Sequence, residues 1–166
     1  MATSSLSYPP QEFTFKEVQL VVRETPSIPA KLKPFAGVKF SSSDQVFKVL
    51  DDLKSMDVET FLCLHLDSKN TIKALQVVSI GSLGSSLVHP REVFRSAILN
   101  GAAGVIFAHN HPSGDPAPSK EDLDITRRLC EVGKVIGIKC LDHIIIGSGR
   151  YFSFADRGLM SGGEHD

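Results

Sequence analysis

Two histidines one residue apart, His109 and His111, and an aspartate downstream of them, Asp122, are the side chains whose types and spacing could do chemistry. They lie in the stretch Ala108-His-Asn-His-Pro-Ser-Gly-Asp-Pro-Ala-Pro-Ser-Lys-Glu-Asp122. In extended chain, residues i and i+2 point the same way, so the two imidazoles form a clamp suited to a metal ion. The Pro- and Gly-rich segment that follows must turn. A helix then starts at Ser119, with Asp122 in its first turn. Two nitrogens and one carboxylate leave the fourth corner of a tetrahedron to water, the ligand count of a catalytic zinc site rather than a closed structural one. A plainer reading exists for each residue. A lone histidine at a strand end is commonly structural or solvated, and Ser119 with Asp122 fits a capping box. Capping does not exclude metal binding, because the hydroxyl can cap while a carboxylate oxygen faces outward. The combination of the paired histidines, the turn and the Ser-x-x-Asp favours the metal.

The elements that must position these residues follow from the apolar pattern. Val105 to Ala108 reads as a buried strand ending at the histidines, and the helix from Ser119 runs to about Val135, ended by Gly137. Ser41 to Asp44 caps a helix with Val46, Phe47, Leu50 and Leu53 on one face, ending near Met56. Glu59 to Leu66 and Thr71 to Ile80 read as an antiparallel hairpin around the polar turn Asp67 to Asn70. Pro90 opens a helix that Asn100-Gly101 stops. Ile138 to Ile146 is a strand interrupted by Asp142 and His143, and Tyr151 to Phe154 is a last strand. His65 is expected on the other sheet face. The fold class is therefore α/β, a mixed sheet with helices on its faces, and ligands of such sheets gather at strand carboxyl ends. The boundaries expected are an N-terminal extension over 1–40, a metal-binding domain over 41–160 and a frayed tail over 161–166. The extension should hold a strand over Phe13 to Val22 and a Pro-rich connector over Glu24 to Pro34. Gly81 to Ser86 is expected to be a flexible loop.

Composition narrows the function classes. The chain of 166 residues is 42% hydrophobic and 22% charged, with a net charge of -1, so it lacks the basic excess of a typical nucleic-acid binder. Cys63, Cys130 and Cys140 are scattered among apolar neighbours and form no C-x-x-C, as expected of reduced core thiols in a cytoplasmic protein. The N-terminus has no basic stretch followed by an apolar one, so no signal peptide is expected, and no apolar run is long enough to span a membrane.

The stretch from His109 to Asp122 resembles the JAMM motif of the JAB/MPN metalloprotease superfamily. The longer string, from His89-Pro-Arg-Glu92 through His109-Asn-His-Pro-Ser-Gly114 to Leu141-Asp-His-Ile144, resembles the RadC family over about residues 40 to 160. The resemblance implies a JAB/MPN, cytidine-deaminase-like architecture and one zinc ion held by His109, His111 and Asp122. It implies that Glu59 is the general base and that Ser119 steadies the oxyanion, a role that competes with capping for one hydroxyl. RadC-like proteins usually carry a longer N-terminal segment of helix-hairpin-helix character. The residues before the domain here contain no such pair of helices, so this is expected to be a short form lacking it.

The implied activity is a zinc metallopeptidase or isopeptidase that cleaves an amide bond through a metal-activated water. The alternative is a DNA-repair or mobile-element accessory protein without peptidase activity. From the residues alone, Glu92 rivals Glu59 as the base, with helix-dipole pairing as its plainer role. Asp115, Asp142 and His143 are candidates for bracing the ligands or bordering the substrate, and Arg91 could hold a substrate carboxylate or lie on the surface. A peptide or protein substrate is the expected partner. Nucleic acid finds no support in the charge, no membrane partner is expected, and homo-oligomerisation stays open.

Overall fold

Every side chain of Thr60–Leu66 is buried, and the sheet is built around this strand, β1. A strand buried on both faces needs a layer of structure on each side of its sheet. The computed structural model describes residues 37–81 and 88–160. The expected strand over Phe13 to Val22, the Pro-rich connector, most of the Gly81 to Ser86 loop and the tail lie outside the described residues.

β1 pairs antiparallel with β2 (Ile72–Ile80) on one side and with β3 (Gly104–Asn110) on the other. β4 (Lys139–Ile146) runs parallel to β3, β5 (Tyr151–Ser153) runs antiparallel to β4, and the strand order is β2-β1-β3-β4-β5. The β1–β2 hairpin turns as its polar residues require: Asp67 Oδ1 accepts the N–H groups of Lys69 and Thr71, both at 2.8 Å. The parallel β3–β4 pair needs a crossover, and helix α3 (Lys120–Ile136) supplies it. Helix α1 (Ser43–Leu50) precedes β1, and α2 (Pro90–Leu99) precedes β3.

Alternation along the strands divides the core in two. Leu62, Leu64, Ile106 and Ile144 face α1, where they meet Val46 and Leu50. Phe61, Cys63, Val105 and Phe107 face the opposite way, against Val93 and Phe94 of α2 and Leu129 of α3. The metal-ligand candidates lie on this second side.

Four details depart from the sequence expectation. The first helix ends at Leu50, and Asp51–Ser55 continues as a tighter 3-10 turn that still buries Leu53. β3 runs two residues further, so His109 and Asn110 are part of it. β4 is not interrupted at Asp142 and His143. Neighbouring strand residues point to opposite faces, and each of these polar side chains finds buried partners on its own side. His65, expected on the other face, shares the face of Phe61. It lies at the far end of β1, bonded to Asn100 Nδ2 at 2.9 Å.

Candidate metal centre

His109 Nε2 lies 3.1 Å from His111 Nε2 and 3.2 Å from Asp122 Oδ1. His111 Nε2 lies 3.4 Å from Asp122 Oδ2, and Glu59 Oε1 lies 3.7 Å and 3.8 Å from the two ring nitrogens. Ligand atoms from the four residues all lie within 4.8 Å of one another. Bonds of ~2.0–2.1 Å at tetrahedral angles separate two ligand atoms by ~3.3 Å. His109, His111 and Asp122 already stand at about that spacing, and Glu59 stands outside it. The donor set of two imidazole nitrogens and a carboxylate suits zinc, so the residues present fit the ion.

Each element delivers its residue for a local reason. β3 carries His109 to the carboxyl end of the strand, where the ring stacks on Phe61 with centroids 5.9 Å apart. His111 lies just past the strand, its N–H donating to Ile146 O at 3.0 Å. Its Nδ1 donates to the main-chain carbonyl of Asp115 at 2.7 Å, which leaves the Nε2 lone pair facing the cluster. The Asp115 carboxylate itself is exposed and meets Arg150 at 3.4 Å. The turn between His111 and α3 is welded to the β4–β5 turn through Ser148 N to Gly114 O at 2.9 Å. Gly114 has φ +79°, and a Cβ on Gly147 would come within 2.4 Å of Gly114 O, so both positions need glycine.

Asp122 is 1% exposed and forms a capping box with Ser119. Ser119 Oγ accepts from Asp122 N at 3.1 Å, and Asp122 Oδ2 accepts from Ser119 N and Oγ, each at 2.7 Å. The hydroxyl hydrogen of Ser119 therefore rests on the carboxylate and orients it. Burial alone would raise the Asp122 pKa and is the largest single influence. Its polar contacts with His109, His111 and Ser119 together overcome it and hold the carboxyl far below its ordinary value. The bond to Asp122 raises the pKa of His111 against the opposing effect of burial.

The register explains how Glu59 arrives. Phe61 pairs with His109 in the antiparallel β1–β3 ladder, so two residues further out Glu59 comes opposite His111. Asn110, whose side chain points away from the histidines, fixes that approach. Its Oδ1 accepts from Thr60 N at 2.8 Å, and its Nδ2 donates to Met56 O and Val58 O at 3.2 Å.

Comparison with known proteins accords with this geometry. The RadC-like JAB domain profile matches residues 40–159. The chain belongs to the RadC-like JAB domain family. It is 58% identical over 123 residues to a UPF0758 protein of Trichlorobacter lovleyi, covering 74% of this chain and 54% of that protein. It is 52% identical over 123 residues to a UPF0758 protein of Methanosarcina mazei, with the same coverage. It is 48% identical over 118 residues to one from Bacillus cereus, covering 71% and 52%. The chain thus spans about half the length of the curated relatives it matches.

Within this JAB domain the remaining candidates separate cleanly. His143 is fully buried, with Nε2 2.8 Å from His109 Nδ1, and burial pushes its pKa well down. Asp142, expected to brace the ligands or border the substrate, does not reach the cluster. It faces the α1 side, where it accepts from His143 N at 2.7 Å, Ala155 N at 2.9 Å and Ser153 Oγ at 2.7 Å, tying β4 to the end of β5 and the turn after it. Burial raises its pKa despite these donors. Glu92 lies outside the cluster, pairing with Arg95 at 2.9 Å and Arg91 at 3.4 Å on the surface. Arg91 is exposed beside it. Asn110 and Thr126 were not singled out as site residues in the sequence. The signal for Asn110 was its place between the histidines, where alternation must aim it at the opposite face. For Thr126 it was one helical turn of spacing from Asp122. Among the described residues no helix is long and apolar enough to cross a membrane.

Proposed function

We propose that the domain is a zinc-dependent hydrolase that cleaves an amide bond, peptide or isopeptide, in a peptide or protein substrate. The observation that carries this reading is the convergence of Glu59, His109, His111 and Asp122. His109 Nε2, His111 Nε2 and an Asp122 oxygen would hold the ion. When bound, zinc supplies Lewis acidity that makes water nucleophilic near neutral pH and polarises a carbonyl.

The other tasks fall to the chain. The Glu59 side chain is 20% exposed while those of His109 and Asp122 are 0% and 2%, so it stands on the solvent side of the cluster. From there its carboxylate takes the proton of the attacking water and returns it to the leaving nitrogen. Ser119 Oγ orients Asp122 at rest and, on releasing Oδ2, donates to the carbonyl oxygen as negative charge develops there. His111, half-buried at the mouth, is held in one tautomer by the Asp115 carbonyl. The net charge of -1 gives a nucleic-acid reading no support.

The test uses the full chain loaded with zinc and offered peptide and isopeptide libraries. Cleavage that a chelator abolishes and zinc restores is expected. Glu59→Gln should keep its metal and lose about 10²- to 10⁴-fold in rate. A protein with stoichiometric zinc that leaves every library member uncut, yet retains duplex DNA at physiological salt, would replace this reading with the accessory-protein one.

A further inference from the structure

His143 has two ring nitrogens and two polar neighbours for them. Its Nδ1 is 2.6 Å from Thr126 Oγ1, and its Nε2 is 2.8 Å from His109 Nδ1. The rest of its surroundings are aromatic. Phe154 stacks on the ring at 4.8 Å, and Phe61 and Phe107 meet it edge-on at 5.4 Å and 6.1 Å. At 0% exposure, water offers no alternative partner.

The direction of every bond in this chain follows from one end. The main-chain carbonyl of Asp122 only accepts, and Thr126 Oγ1 lies 2.5 Å from it. The single hydroxyl hydrogen must point there, since two oxygen lone pairs cannot face each other at that distance. Thr126 Oγ1 then has only lone pairs to offer His143 Nδ1, so Nδ1 carries the hydrogen. Neutral His143 therefore presents a bare Nε2 to His109. His109 Nδ1 must carry a hydrogen in turn, and the lone pair of neutral His109 sits on Nε2, the atom facing His111, Asp122 and Glu59.

We propose that Thr126 and His143 are positioning residues that lock His109 in its metal-binding tautomer, through hydrogen bonds that begin on the backbone of the ligand Asp122. The lock links the ligand on β3 to the ligand on α3 through β4. It rests on the reading of the cluster as a metal centre. Thr126→Val, equal in size, removes the hydroxyl. His143 Nδ1–H then has no acceptor, His143 loses its preference for the Nδ1–H form, and His109 is no longer held with Nε2 bare.

Two measurements test this. Zinc affinity, read by competition with a chromophoric chelator, is expected to fall about 10- to 100-fold in Thr126→Val. Thr126→Ser, which keeps the hydroxyl, should stay within about threefold of wild type, whereas loss of packing alone would affect Ser at least as much as Val. The second measurement is imidazole nitrogen-15 NMR of the metal-free wild type, which reads the His143 tautomer directly. An Nδ1–H form supports the lock and an Nε2–H form overturns it. Equal zinc affinity in wild type and folded Thr126→Val also overturns it. If wild type takes up no zinc, the proposed function fails, and the NMR result still decides the tautomer.

Discussion

Asn110 offers the most direct check on how the fold places Glu59, and the cost of removing it can be worked out bond by bond. In Asn110→Ala three hydrogen bonds vanish, but their acceptors and donors differ in what they can do next. Thr60 N lies at a position only 3% exposed, so its N–H is left unpaired in the interior. Such a group costs about 1–3 kcal/mol. The carbonyls of Met56 and Val58 belong to a half-buried and an exposed residue, so water replaces Asn110 Nδ2 there. Each exchange costs roughly 0.5–1 kcal/mol. The sum is about 2–5 kcal/mol. With a urea m-value of about 2 kcal/mol/M, the middle of the range for small domains, the midpoint should fall by roughly 1–2.5 M.

The assay is urea denaturation of the metal-free protein, followed by metal analysis of the folded variant. Stoichiometric zinc is expected to persist, because His109, His111 and Asp122 are held from β3 and α3 and do not depend on the Met56–Thr60 segment. Amide hydrolysis should fall in parallel with Glu59→Gln, because the segment that carries Glu59 has lost its anchor. A midpoint shift below about 0.3 M would refute the reasoning, since it would mean the amide of Asn110 holds nothing that water cannot hold as well.

Two further outcomes follow from the same geometry. Ser119→Ala should lose about 1 kcal/mol of stability from the missing cap, yet keep its metal, because the main-chain N–H at that position still donates to Asp122 Oδ2. Loss of metal from a folded Ser119→Ala would show that the hydroxyl, not the backbone, aims the carboxylate. His65 is buried against Ser96 and Asn100, and burial lowers its pKa. The unfolded chain takes up the proton first, near the ordinary value of 6.5, so His65 costs stability as pH falls from there toward its folded value. Comparing urea midpoints at pH 7.5 and 5.5 should show a shallower loss in His65→Gln, by at most about 1.4 kcal/mol per pH unit; an identical pH dependence in both proteins would refute the assignment.

Much of the fold was legible because hydrophobic period and turn chemistry agreed with each other. The Asp67 to Asn70 turn, the capping box at Ser119 and the glycine stop at Gly137 mark element ends by local chemistry, and the structure places ends there. Asp142 and His143 suggest a break that β4 does not have, for a physical reason. Polarity in an apolar strand weakens the pattern, and the sequence does not show that the Ser153 hydroxyl reaches one of them or that the Thr126 hydroxyl reaches the other. The satisfaction of a buried polar group is a tertiary fact.

The same distinction separates the proposed ligands from the proposed base. His109, His111 and Asp122 are close in sequence, so strand alternation, a glycine turn and a helix cap suffice to bring them together. Glu59 is far away in the chain, and only pairing between β1 and β3 delivers it; from the residues alone, without the family resemblance, it is no better a candidate than Glu92. Once Phe61 is known to face His109, Glu59 must come opposite His111, and a slip of one residue would turn its side chain to the other face of the sheet. Asn110 guards against that slip, because its side chain grips the backbone on both sides of Glu59, at Val58 and Thr60. The residue between the two histidines thus sets the position of the carboxylate that joins their cluster, from the opposite face of the strand.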